Sequence, residues 1–159
     1  MAPHPMITHA VSMVGQGLFV KMPGLKVLFV GAGLTWLQTV IWRFDNEFRA
    51  LRREVPWLSE MPSHYFFHNL RVSTYPLDGV PTTAAWSKVL GALPGIEDMI
   101  CFASGYPEWD ADSARAVADR LPSSVHEKLF RQNSEQLFRW SGKPSRPPVK
   151  GSARVGVMR

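Results

Sequence analysis

Hydrophobic positions along this chain recur with a period that switches between helix and strand, and the switches divide the chain into elements. Over residues 6–20, Met6, Ile7, Ala10, Val11, Val14 and Leu18 share one broad face, which predicts a helix. Residues 26–30, KVLFV, form a short apolar run closed by Gly31-Ala32-Gly33 and predict a buried strand. The strongest helical signal follows, with Trp36, Leu37, Val40, Ile41, Phe44, Phe48, Leu51 and Val55 at a 3.6 period and charged residues mainly between them. Thr35 stands where a cap would, and Pro56 stops the helix. Pro62-Ser63 opens a short helix through His68, and residues 70–74, LRVST, alternate as a strand. Thr82 or Thr83 is placed to cap a helix through Leu93, and residues 98–103, DMICFA, read as another buried strand. Asp112 is expected to cap residues 113–121. Ser124 and Glu127 read as a capping box for a last helix to about Trp140, ended by Gly142 and Pro144.

Helices alternating with short apolar strands predict an α/β fold with parallel strands and crossover helices. About three strands are visible, whereas a doubly wound sheet has roughly five or six and a barrel about eight, so the pattern reads as part of a larger sheet. At 159 residues the chain has room for one domain, and 45% apolar with 19% charged residues excludes a disordered chain. The net charge of +5 is confined to one end. Residues 1–140 carry 13 basic and 13 acidic residues, and Lys143, Arg146, Lys150, Arg154 and Arg159 meet no acid. Residues 1–140 are therefore expected to be the folded domain and 141–159 a basic, disordered tail, solvated rather than bound to nucleic acid. No run approaches the roughly 18 apolar residues of a membrane span, and the first residues lack the basic start of a secretory leader. One cysteine, Cys101, allows no internal disulfide, and the expected setting is cytoplasmic.

Several motifs invite chemistry. The run from Lys26 to Gly33 resembles a dinucleotide-binding turn, but the third glycine of that fingerprint is replaced by Trp36, and no acid-ended strand follows. His64 and His68 are four apart on one helix face, without a carboxylate to complete a metal site. His4 and His9 have no local partner, and Cys101 lies inside an apolar strand, where a thiol packs as a small hydrophobe. The loop FASGYPEWDAD, residues 102–112, leaves the carboxyl end of a strand, where α/β folds gather functional groups. Glu108, Asp110 and Asp112 put three carboxylates beside Tyr106 and Trp109, a composition suited to a cation or to acid/base work, or simply to a solvated capping loop.

Five landmarks together resemble the C-terminal part of the amidohydrolase-related family of metal-dependent hydrolases and decarboxylases. They are Gly33-x-x-Trp36, Arg43-x-Asp45 followed by Arg52-Arg53-Glu54-Val55-Pro56-Trp57, Pro62-Ser63-x-Tyr65, Tyr106-Pro107-x-Trp109-Asp110, and Asn133-x-x-x-Leu137-Phe138. The resemblance runs from about residue 10 to 140. It implies a (β/α)8 barrel of which this chain carries about the last three β/α units. It also implies a divalent metal, usually zinc, held at the carboxyl ends of the strands by an early His-x-His pair, a mid-chain histidine and an aspartate after the last strand.

Three departures bear on activity. Gly105 stands where the resemblance implies the metal-site aspartate, and Gly31 where it implies a glutamate; Glu108 replaces a common histidine. The expectation is therefore a truncated protein that is inactive alone, binds no metal by itself and keeps only Tyr106, Glu108, Trp109 and Asp110 as substrate-loop candidates. The alternatives are the C-terminal half of a split metalloenzyme, completed by a complementary N-terminal barrel half, and a non-catalytic interaction module. An open barrel segment is also expected to expose strand edges, which favours pairing with that half or with a second copy.

Overall fold

A computed structural model of the chain describes residues 4–77 and 79–139. The expected helix stop at Gly142 and Pro144 and the tail 141–159 lie outside them. The elements are α1 (His4–Gly15), α2 (Leu18–Lys21), β1 (Val27–Phe29), α3 (Trp36–Leu51), α4 (Pro62–Asn69), β2 (Leu70–Ser73), α5 (Thr83–Gly91), β3 (Ile100–Cys101), α6 (Ala114–Arg120) and α7 (Asn133–Phe138). The three strands form one parallel sheet in the order β1-β2-β3, with Val27 opposite Leu70 and Val72 opposite Ile100. The fold is α/β. Among the described residues no helix is long and apolar enough to cross a membrane.

Each departure from the sequence pattern has a local cause. The helix expected over 6–20 breaks at Gly17, whose φ of 71° is left-handed and whose α-carbon lies under the Trp57 indole. A Cβ there would sit 2.5 Å from Trp57 Cδ1, and the indole N–H donates to Gly15 O at 2.8 Å. The α3 helix ends at Leu51, before Pro56, in consecutive turns. Thr35 holds its N-cap position with helical backbone angles and makes no side-chain cap bond. Thr82 does cap α5, accepting from Ala85 N at 3.1 Å. Ser113, not Asp112, caps α6 by accepting from Ala116 N at 3.1 Å. The Ser124 capping box is absent: Ser123–Val125 is a 3-10 turn without a side-chain cap, and Lys128–Gln132 is a π-helical turn leading into α7.

The buried face of α3, with Trp36, Leu37, Ile41 and Phe48, joins a core that includes Phe66, Leu70, Val72, Trp86, Met99 and Leu129. Phe44 meets Phe66 edge to face at 6.2 Å between centroids, and Asp45 Oδ1 accepts from Ser63 N at 2.8 Å, docking α4 on α3.

The outer edge of β3 is not left open. Val72 N–H donates to Met99 O and Thr74 N–H to Cys101 O, so Cys101 turns its backbone groups to β2 while Ile100 and Phe102 turn theirs outward. There Asn133 Nδ2 donates to Ile100 O at 2.7 Å, and Phe102 N–H donates to Leu129 O at 3.1 Å. Asn133 is 1% exposed and sends its second N–H to Glu97 O, also at 2.7 Å. The C-terminal helical segment thus covers an edge that the strand pattern alone leaves bare. The strand expected over 98–103 shrinks to Ile100–Cys101, because Ile96–Asp98 winds into a 3-10 turn.

Candidate functional site

Parallel strands bring their carboxyl ends to one side of the sheet, where three segments meet: Gly31 after β1, Thr74 and Tyr75 after β2, and residues 102–112 after β3. Buried hydroxyls tie them together. Ser73 Oγ accepts from Gly31 N at 3.4 Å and donates to Tyr75 O at 3.3 Å. Thr74 Oγ1 accepts from Ala103 N at 3.3 Å and lies 3.4 Å from Ala103 O.

Above this layer the Tyr75 ring crosses to the β3 loop. Its hydroxyl donates to Asp110 Oδ1 at 2.5 Å, a charge-assisted bond. That bond to the Asp110 carboxylate, with burial and the charges of Asp110, Glu108 and Asp112, pushes the phenol pKa up to about 12. Asp112 Oδ2 accepts from Leu77 N at 3.1 Å, a second tie between the same two loops. Gly31, Tyr75, Pro76, Glu108, Trp109 and Asp110 line a cavity of about 230 Å³.

The structure brings Glu108, Trp109 and Asp110 to one cavity and leaves Tyr106 outside its lining, 84% exposed. Trp109, 94% exposed, edges the cavity. His64 and His68 lie on α4, which leads into the amino end of β2, away from this face. Their rings stack at 4.1 Å, and His68 Nδ1 bonds the His64 carbonyl at 2.9 Å. His4 and His9 lie on α1. Cys101 is buried, and burial pushes its thiol pKa up, as befits core packing. Tyr75 is the residue that the sequence pattern did not single out. It follows a strand end directly, and giving every strand end the weight accorded to residues 102–112 would have exposed it.

The amidohydrolase family profile matches residues 2–140. The chain belongs to the amidohydrolase family. No curated protein matches the sequence. Among solved structures, an amidohydrolase from Mycobacterium avium subsp. paratuberculosis K-10 is similar at 20% identity and a TM-score of 0.66, over 85% of this chain and 33% of that one. The 5-carboxyvanillate decarboxylase of Sphingomonas paucimobilis is similar at 26% identity and a TM-score of 0.62, over 83% and 39%. A dihydroxybenzoic acid decarboxylase from Polaromonas sp. JS666, solved with bound manganese and the inhibitor 2-nitroresorcinol, is similar at 21% identity and a TM-score of 0.63, over 86% and 40%. The chain thus spans 33% to 40% of the length of these solved relatives.

Among the described residues of this amidohydrolase-family chain, no metal ligand set stands at the strand ends. Among the described residues no three His, Cys, Asp or Glu side chains converge. Gly105 supplies no donor, and its φ of 77° belongs to the left-handed region. A Cβ built on it would overlap Cε2, Cδ2 and Cζ of Tyr75, so the space an aspartate would need is taken by the ring. Asp110 and Asp112 are engaged by Tyr75 and Leu77.

Proposed function

We propose that this chain supplies the last three β/α units of a (β/α)8 barrel of the metal-dependent hydrolase or decarboxylase type, and that it is inactive by itself. The observation that carries the reading is the parallel sheet of a family member whose strand-end loop presents Gly105 under Tyr75 rather than a carboxylate. The likeness to the carboxyvanillate decarboxylase favours a hydroxylated aromatic carboxylate as the substrate class of the completed barrel. A divalent metal would then be held by side chains from a complementary barrel half that supplies the remaining strands, in a cytoplasmic setting that suits a free thiol. This chain's part would be to form one wall of the mouth: Glu108, Trp109 and Asp110 face the substrate, and Thr74 and Ser73 hold the strand ends in register.

The test is direct. The purified chain, incubated with zinc or manganese and then desalted, is analysed for metal and for CO₂ release from dihydroxybenzoate. Far less than one metal per chain and no turnover are expected. One metal per chain with measurable decarboxylation would overturn the reading.

A further inference from the structure

Gly105 and Tyr75 fit each other so closely that no side chain can be added at 105 while the ring stays in place. The ring lies on the bare α-carbon of Gly105, and all three atoms nearest to a Cβ built there belong to Tyr75. Swinging the ring aside is not free, because its hydroxyl is anchored on Asp110, beyond the turn in which Glu108 N donates to Gly105 O at 2.9 Å. The loop is closed further by Asp112 N to Ser104 O at 2.8 Å, so ring, turn and anchor make one circuit. We propose that Tyr75, Gly105 and Asp110 form a latch that ties the loop after β2 to the loop after β3, with the Tyr75 ring occupying the volume of a residue-105 side chain.

Gly105 is then a fitted residue, and restoring an aspartate there gains nothing while Tyr75 remains. This consequence goes beyond the proposed function and does not rest on it, since it follows from the contacts within this chain.

A double-mutant cycle on the full chain tests the latch. Glycine-to-alanine exchange carries two costs here, a left-handed backbone and the overlap with the ring, and only the second disappears when the ring is removed. G105A is expected to raise the unfolding constant at least about tenfold more in the wild-type background than in the Y75A background, measured by urea titration. Additive effects would overturn the pairing. Y75F keeps the ring and removes the anchor. Its amide exchange at Glu108, Ala111 and Asp112 is expected to accelerate about tenfold, while Val72 and Thr74 in the sheet stay unchanged. Unchanged exchange in the loop would overturn the latch, and this comparison decides if G105A does not fold.

Discussion

Replacing Asn133 by alanine removes both donors of a side chain that is 1% exposed and joins α7 to the strand layer. Glu97 O and Ile100 O each lose a 2.7 Å bond, and Ile100 O lies on the outer edge of β3. The part-buried bond to Glu97 O contributes about 1 kcal/mol and the buried Ile100 carbonyl left bare costs roughly 1–3 kcal/mol, so the loss should be about 2–4 kcal/mol. Domains of this size are stable by about 5–15 kcal/mol, which makes the change easy to read. With a urea slope of about 2 kcal/mol/M, the midpoint falls by roughly 1–2 M. Circular dichroism and tryptophan fluorescence should follow one transition in both proteins. Asn133→Asp is the sharper variant, because it sets a carboxylate against two carbonyl oxygens in place of a donor. It should cost at least as much as alanine at neutral pH and recover in part when the carboxyl is protonated. A loss below about 0.5 kcal/mol for alanine would mean that water replaces the amide and that the edge of β3 is not held by Asn133.

Gly17→Ala should lower stability by about 1–3 kcal/mol, since it combines a left-handed backbone with the Trp57 overlap; a thermal melt within a degree of wild type would refute this. Ser113→Ala should cost about 1 kcal/mol through the lost α6 cap, whereas Asp112→Ala should leave α6 capped and free the Leu77 amide, so exchange at Ala116 should rise in the first variant alone. The Tyr75 phenol, raised in the folded chain to about 12 against an ordinary 10, contributes stability that is complete below pH 10 and is lost as pH rises through 12. Between these values the urea midpoint should therefore fall more steeply in wild type than in Y75F, and parallel slopes would contradict the Tyr75 to Asp110 bond.

The candidate site was legible in part. Its location came from one general property of parallel sheets, that loops at the carboxyl ends converge, and Glu108, Trp109 and Asp110 do line one cavity there. Tyr106 matched the same motif and points elsewhere, because spacing along a loop does not say which side chain turns inward. The blank at Gly105 was visible in the sequence, but its occupant was not. Tyr75 lies thirty residues earlier and reaches Gly105 only because β2 and β3 are neighbours in register.

Local elements followed from local physics. The 3.6 period of α3, the runs ending in β1 and β2, and the cap at Thr82 all depend on residues within a turn or a strand of one another. Sequence alone therefore determined the α/β alternation, the helical core face and the family. Tertiary contacts decided the rest. Trp57 over Gly17 broke a helix forty residues away, Asn133 and Leu129 sealed the β3 edge, and Ser113 took the cap that Asp112 gave up for Leu77. In each case a backbone group or a side-chain volume was matched with a residue distant in the chain, and such pairings exist only once the chain has folded.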